Sequence, residues 1–556
     1  MEIKEAFQMK KKFSFKKLVS PFPVFALCGL FFIGGCSYVK NLHEPSPEFY
    51  IPQEAVRQID VIDLEEAAEE KPDTVDVVEP EISQLELSLA ECRALALENN
   101  LDLKVQLIEP AIAAERVSQE EAQFEATFFT DVIYSKTDTP VATTLDIQGS
   151  SREYIYTDLG VSVPLRTGGE IKVDLIDSRS KTDSLWSIYD PTYESDFTAS
   201  ISQPLLRNAG KRVNEYAIRI AEYDRHITDA RTKLQAIRVI ADVDRGYWRL
   251  YAAKRLLDVR KQQYELANTL YEQTEIFVEV GTKPQIELIR TRASVAEKLE
   301  AIINAENDLR DVERDLKRML NKAGLGMETV TVLVPSTEPD PVRYELQSQK
   351  MVANAIENRM EMLELELQVA QDASKIDYLK NQTLPLLTME YRYNINGLGP
   401  TRTDSYDLLF DDDFDDHRIG LQISIPLGNE AAKSRLRQAI YERKQRLASR
   451  DSKEAQIKYE VLKQIDKLDA TWQRILASRQ TTILQNEQYK AEKRQFELGL
   501  VTSTDVLDAQ TDLAEAQRVE ILALTEYQIA LVDLAYATGT LLGAAKVEWD
   551  PVVPRE

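Results

Sequence analysis

Histidine and cysteine are almost missing: three of each in 556 residues. His43, His226 and His417 lie far apart, and there is no H-E-x-x-H, no G-x-S-x-G and no phosphate-binding glycine loop. The nearest candidate, RTGGE at 166–170, lacks the lysine and the spacing such a loop needs. Three cysteines with no close pair exclude a zinc-type site and a disulfide framework. No enzymatic chemistry, no cofactor and no metal site is therefore expected. Glycine (19) and proline (21) are sparse, and most fall outside four long stretches rich in Ala, Leu, Glu, Gln, Lys and Arg. That composition does not fit several compact, turn-rich cores; it fits long helices. Positive charge is the minority, 68 Lys and Arg against 93 Asp and Glu, for a formal charge of −25. A phosphate-binding surface needs clustered positive charge, so nucleic acid is not an expected partner.

A long apolar run occurs once, LVSPFPVFALCGLFFIGG, behind Lys10, Lys11, Lys12, Lys16 and Lys17. Pro21 and Pro23 sit in a barely sufficient length, so residues 1–35 read as a secretory signal, with a retained anchor as the alternative. Ile33-Gly34-Gly35-Cys36 resembles a bacterial lipoprotein signal. That resemblance implies that Cys36 is lipidated and becomes the mature N-terminus, with Ser37 directing outer-membrane sorting. Each buried acyl methylene contributes about 0.8 kcal/mol. Cys28 leaves with the signal and Cys92 remains alone. Residues 36–86 are acidic and punctuated by proline, which suits a flexible tether.

The rest is duplicated. Leu97-Glu98-Asn99-Asn100-Leu101 matches Ile356-Glu357-Asn358-Arg359-Met360 at an offset of 259, which also carries Tyr134 onto Tyr393. ISQPL (201–205) matches ISIPL (423–427) at 222, and Gly281 matches Gly499 at 218. Two repeats in the same order follow, 87–322 and 345–545, joined by a linker at 323–344 and ended by a tail at 546–556. Each reads helix, strands, very long helix, break, helix. The expected helices are 87–123, 207–280 and 284–322, then 345–381, 429–498 and 502–543. At 1.5 Å per residue the two longest measure about 110 and 105 Å, too long to bury a stripe except against partners of equal length. Two shorter helices stacked end to end supply that length.

Between the helices the apolar period is two. Leu387, Met389, Tyr391, Tyr393 and Ile395 alternate with polar residues, as do Ile419, Leu421, Ile423 and Ile425. The first repeat has Ile155 to Val163, Phe197 to Gln203 and a weaker strand at 128–135. Residues 166–177 read as the turn and return of an extra hairpin, either wall strand or loop across 151–181. A half-buried soluble sheet has the same alternation. Two short hairpins cannot make a useful sheet alone, however, and strands of nine to ten residues with one polar face match transmembrane β-barrel strands.

GLVTSTDVLDAQTDL (499–513), its divergent partner GTKPQIELIRTRA (281–293) and the two junctions at 201–205 and 424–427 resemble the TolC-like outer-membrane efflux family. The likeness covers nearly all of 87–545. It implies an α+β membrane protein: a long antiparallel α-helical coiled-coil barrel plus transmembrane antiparallel β-barrel strands, internally duplicated and completed by homotrimerisation. It further implies an outer-membrane channel-tunnel, lipid-anchored and extending into the periplasm. Such a duct is the passive exit of a tripartite efflux pump or type I secretion system. Its partners are outer-membrane lipid, a periplasmic adaptor and an inner-membrane transporter that supplies the energy. The alternative is a structural or adhesive periplasmic coiled-coil lipoprotein without a pore.

The site residues follow from both readings. Gly281 and Gly499 sit where a helix reverses, Thr502 or Thr504 can cap the returning helix, and Pro284 suits its first turn. With Thr282 and Leu500 they form tips that the resemblance places against the adaptor. Asp505 and Asp508, at i and i+3, share one side of a helix and match the family's aspartates around the periplasmic entrance. Asp505 also suits a helix start for purely structural reasons. Glu287 and Arg290 occupy the equivalent first-repeat positions, with Arg290 a candidate partner for Asp508. Where family members carry a gate-latching Arg two residues after the tip glycine, this chain has Val501, with Lys283 in the other repeat. Pro204 and Pro426 mark the strand-to-helix junctions. The acidic stretch 407–416 is expected as a loop at the outer mouth, either solvated or cation-binding.

Overall fold

The computed structural model describes residues 84–140, 149–184 and 186–548. The signal segment, Cys36, most of the tether and the end of the tail lie outside the described residues. The first repeat begins with β1 (Gln84–Leu87), α1 (Leu89–Asn99), α2 (Leu101–Gln106) and α3 (Glu109–Ala122). Four strands follow: β2 (Thr127–Asp138), β3 (Ser151–Pro164), β4 (Glu170–Thr182) and β5 (Thr192–Pro204). The short α4 (Lys211–Asn214) leads into α5 (Tyr216–Glu279) and its return helix α6 (Gln285–Leu320). After β6 (Val332–Pro335) the second repeat runs α7 (Ser348–Asn358), α8 (Met360–Gln382), β7 (Leu386–Gly399), α9 (Arg402–Asp411) and β8 (Asp415–Ser424). It closes with α10 (Glu430–Glu497), α11 (Ser503–Ala537) and α12 (Leu541–Ala544).

The long helices α5 and α10 have 64 and 68 residues. At 1.5 Å per residue they measure about 96 and 102 Å. Their packing has the heptad spacing of coiled coils. On α10 the buried set Ile457, Val461, Leu468, Thr471, Ile475 and Ser478 steps by four, seven, three, four and three. On α11 Ala509, Ala516, Ala523, Ala530 and Ala537 recur every seven residues, all buried, with Leu513, Tyr527 and Leu534 four residues after the first, third and fourth. Alanine at one seam position and larger residues at the other let α11 lie close against α10 while still filling the seam. Helix α5 is buried on two sides instead. Val243 and Tyr247 join a core with Cys92, Leu316 and Leu333, whereas Ile237, Ile240 and Ala241 join one with Val532 and Leu541. Asp533 ties three helices, accepting from Arg245 at 2.8 Å and from Lys467 at 2.9 Å.

The short helices expected at 87–123 and 345–381 are interrupted, and at matching places: Asn100 and Arg359, the 259-offset pair, both leave the helical region (ψ 126° and 128°). Each break lies where a returning helix ends. Asn100 caps α2 through Leu103 N–H at 3.0 Å and donates to the Met319 carbonyl at 3.0 Å. Asn321, in the left-handed conformation after α6, donates to the Asn99 carbonyl at 3.1 Å. The α6 end and the α2 start are therefore stitched together beside α5. In the second repeat Arg359 pairs with Glu361 and Glu460, and Gly539 (φ +70°) abuts the Asn358 backbone. At the first junction the Asn100 side chain serves two helix ends at once, which a residue inside a continuous helix cannot do, whereas the Arg359 side chain caps neither helix and pairs with carboxylates instead.

The end of the expected flexible tether and part of the linker are ordered. The end of the tether is β1, and the linker contains β6; they pair in parallel, Leu85 beside Leu333. Glu313 accepts from Leu333 N–H at 3.1 Å, Lys317 donates to the Thr329 carbonyl at 2.8 Å, and the buried Tyr247 hydroxyl accepts from Thr337 N–H at 2.7 Å. Cys92 is free and buried in this region, and burial pushes its thiol up to about 12.

The sheet order is β2-β3-β4-β5-β7-β8, antiparallel throughout, so the 151–181 hairpin contributes two strands. Adjacent rows separate by character. Leu159, Leu175, Phe197 and Ile395 form one cross-strand row, and Val163, Ile171, Ile201, Tyr391 and Ile419 another on the same face. The opposite face carries the row Ser162, Lys172, Ser200, Arg392 and Arg418. The stretch 407–416 is not a simple loop: α9 reaches Asp411 and lies on the apolar side, across the row Asp177, Ser195 and Gly397. Arg402 pairs with Asp177 at 2.9 Å, Ser405 meets Ser195, and a Cβ on Gly397 would strike the Ser405 carbonyl. Small residues in that row make room for the helix backbone.

Arg93 reaches Asp244 with two bonds of 2.7 Å, and Asp244 has no solvent exposure. Arg93→Ala strands that carboxylate, so a loss of about 3–5 kcal/mol is expected. Denaturant unfolding of the purified protein checks this; a loss under about 1 kcal/mol, the range of surface pairs, removes the assigned role.

Candidate functional site at the helix reversals

Each long helix ends in the same motif. At the first, Gly281 N–H donates to Val278 C=O at 3.0 Å and Thr282 N–H to Phe277 C=O at 2.9 Å. At the second, Gly499 N–H donates to Phe496 C=O and Leu500 N–H to Gln495 C=O, both at 2.9 Å. These are paired Schellman closures, and they require a residue in the left-handed region: φ is +81° at Gly281 and +76° at Gly499. An added Cβ at either would meet nothing within 4 Å. Backbone conformation, not space, thus asks for glycine there.

The two reversals share one core. Phe277 and Phe496 meet edge-on with centroids 5.8 Å apart, over Leu270, Tyr489, Val506, Ala509 and Leu513. Three polar ties then run from the first reversal to the second. Lys283 donates to the Val501 carbonyl at 2.9 Å, with its ammonium 4.9 Å from the Phe496 ring centre. The buried Glu287 accepts from Ser503 N–H at 2.9 Å. Arg290 donates to the Thr504 hydroxyl at 3.2 Å.

The ties follow from one local difference. In the second reversal Thr502 is the N-cap of α11, and Asp505 at N3 accepts from its N–H at 2.8 Å and its hydroxyl at 2.7 Å. In the first, Pro284 is the N-cap of α6, in extended conformation and one residue before the first turn. Proline has no N–H, so Glu287 at N3 has no donor there to accept from. Its carboxylate crosses over and takes the next orphan donor of α11 instead. Glu287 and Arg290 therefore both engage the opposite reversal, but Arg290 meets Thr504 rather than Asp508. Val501, which offers no side chain for a latch, takes part through its carbonyl. Sequence reasoning placed Lys283 and Val501 only as departures from a pattern. The signal that joins them is their shared position, each two residues after its glycine.

Asp505 and Asp508 lie on the exposed side of α11. Hydrogen bonds from Thr502 hold the Asp505 carboxyl below its ordinary value of 3.8. Apolar residues at the reversals are left open: Val280, Leu498 and Leu500 are 71, 68 and 72 % exposed. Pro204 ends β5 and Pro426 follows β8, at the other end of the long helices. Among the described residues no group of three or more His, Cys, Asp or Glu is placed to hold a metal ion, the acidic stretch before β8 included. No described helix is long and apolar enough to cross a membrane.

Glu287→Ala leaves Ser503 N–H unpaired in a buried place, at a cost of about 1–3 kcal/mol. Amides at 499–507 should then exchange with solvent roughly 5- to 140-fold faster, since 1.4 kcal/mol is a factor of ten. Glu287→Gln, which keeps an acceptor, should recover part of that protection. Unchanged exchange in both variants removes the cross-tie from the account.

The geometry matches known proteins. The family model described as "Outer membrane efflux protein" fits residues 170–322 and 351–540. The outer membrane protein TolC of Vibrio cholerae is 23% identical over 311 residues, 54% of this chain and 68% of that protein. A membrane protein from Pseudomonas aeruginosa superposes with a TM-score of 0.62 at 16% identity, covering 81% of this chain and 93% of the other. The CmeC outer membrane channel of Campylobacter jejuni gives 0.59 at 14%, covering 82% and 86%. At such identities the structural likeness speaks to the fold, while the family match spans both repeats. The chain belongs to the outer membrane efflux protein family.

Proposed function

We propose that three copies of this chain close into one passive export duct, the outlet of a tripartite efflux pump or type I secretion system. The observation that carries the reading is the open sheet. Among the described strands its edges are β2 and β8, each paired along one side, with β3 and β7 respectively. Its apolar face has Phe128, Val132, Ile419, Leu421 and Ile423 exposed at 60–78 %. Edges of that kind need partners, and neighbouring copies supply them, β8 of one beside β2 of the next. From Ile155 to Val163 the apolar face spans about 27 Å along the strand; a tilt near 40° lowers that to roughly 21 Å, near the height of an outer-membrane apolar band. A rod without a pore would leave that face in water.

In this arrangement the helical reversals lie at the periplasmic end. Their exposed Val280, Leu498 and Leu500 meet an adaptor protein, and an inner-membrane transporter supplies the energy. Cys36 carries the lipid anchor. Asp505 and Asp508 from three copies put six carboxylates around the entrance, which favours cations.

Purified protein in planar bilayers tests the duct directly: discrete channels blocked by a trivalent cation from the helical side are expected. Asp505→Ala with Asp508→Ala should abolish the block; unaltered block removes the ring. Since the Asp505 value is lowered, its charge and its cap are intact above the ordinary 3.8 and are lost only as pH falls through the lower, folded value. The Asp505 share of the block, read in Asp508→Ala, should therefore persist from neutral pH down to about 4.5. Cys36→Ser should end palmitate incorporation, and continued labelling would place the lipid elsewhere.

A further inference from the structure

The repeats measure an insertion. Tyr134 matches Tyr393 at an offset of 259, but Ile201 matches Ile423 at 222, so the first repeat gains 37 residues between β2 and β5. Those matches pair β2 with β7 and β5 with β8. Without the insertion each repeat supplies two strands; β3 and β4 are the addition.

The addition is built as wall. Its ladders are uninterrupted over twelve pairs to β2, thirteen within the hairpin and eleven to β5. Its faces keep the alternation of the flanking strands. Leu159, Val161, Val163, Ile171, Val173 and Leu175 continue the apolar face, while Asp158, Ser162, Lys172 and Asp174 continue the polar one. A flap standing in water has no use for six aliphatic residues on one face. The row Phe128, Val161, Val173 and Ala199 also shows that β2 and β5 present the same face across the hairpin. The parent repeats would therefore join directly once it is removed.

We infer that this hairpin is a bore-widening insert, raising each copy's share of the barrel wall from four strands to six and the three-copy barrel from twelve strands to eighteen. The inference rests on the three-copy duct proposed above. Strands about 4.8 Å apart and tilted about 40° give a backbone diameter of roughly 24 Å for twelve and roughly 36 Å for eighteen. Eighteen strands enclose an open aqueous channel. The outlet then sets no size limit on cargo, and size selection falls to the entrance at the helix reversals. The solutes favoured are bulky hydrated ones that a twelve-strand outlet would retard.

Two tryptophan variants of the full chain, each with Trp186→Phe, are reconstituted in vesicles of phosphatidylcholine brominated deep in the acyl chains. Leu421→Trp lies on the apolar face of β8, from the repeat itself, and Leu175→Trp on that of β4, from the insert. Quenching of both relative to the Trp186→Phe parent is expected. Quenching of Leu421→Trp alone overturns the insert as barrel wall and leaves the membrane-spanning reading standing. Quenching of neither overturns that reading, and the insert with it. In a second measurement, polyethylene glycols of increasing size are added on the barrel side of single channels. The full chain should admit larger polymers than a variant with β3 and β4 excised and β2 joined to β5 by a short turn. Equal cut-offs overturn the widened bore. If the excised chain does not fold, the tryptophan pair still decides whether the insert is wall.

Discussion

Length matching governs this molecule. A helix of 64 or 68 residues can bury a stripe along its whole length only if something equally long lies beside it. The chain meets that demand with collinear shorter helices, and the demand fixes where the breaks fall. Asn100 and Arg359 leave the helical region at the same place in each repeat because two helix ends must meet there beside a third helix that continues. Asn100 and Asn321 satisfy both ends with side-chain amides in one repeat. Arg359, paired with Glu361 and Glu460, occupies the corresponding junction in the other. One junction is thus held by neutral amides that cap helix ends, the other by an ion-pair cluster that caps none.

The two repeats have also diverged in how closely their helices pack. The second lines one seam of α11 with alanine every seven residues, whereas α5 is covered on two sides by different partners. At the reversals the divergence becomes useful. A proline at one N-cap removes a donor, and the N3 carboxylate that loses its local partner binds the neighbouring hairpin. Two helical hairpins that meet at the reversals through a non-directional apolar core gain directional ties. The ends of the helices are thereby held as one unit, and their exposed apolar residues are presented together.

At the other end the sheet separates a polar face from an apolar one with little mixing, and α9 lies over the apolar side only where Ser195 and Gly397 make room. The hairpin between β2 and β5 obeys the same alternation as the strands it separates. Its faces are thus consistent with an addition to an older wall rather than with a loop decorating it.

The sequence by itself determined the class of every main element, because helix and strand declare themselves through their periods and reversals through Gly281 and Gly499. The internal duplication was equally legible, since offsets survive divergence of the residues between them. It also marked Asp505 and Asp508, whose spacing fixes their shared side of a helix whatever surrounds it. It did not show the alanine seam as a seam, nor α9, whose short acidic segment has no period long enough to read. It could not show that Glu287 serves Ser503, that Lys283 finds the Val501 carbonyl, or that Arg290 meets Thr504 instead of Asp508. Those contacts join residues more than two hundred positions apart. Local pattern carries information only over a few turns, so partners brought together by the packing of two hairpins are decided by the tertiary structure alone.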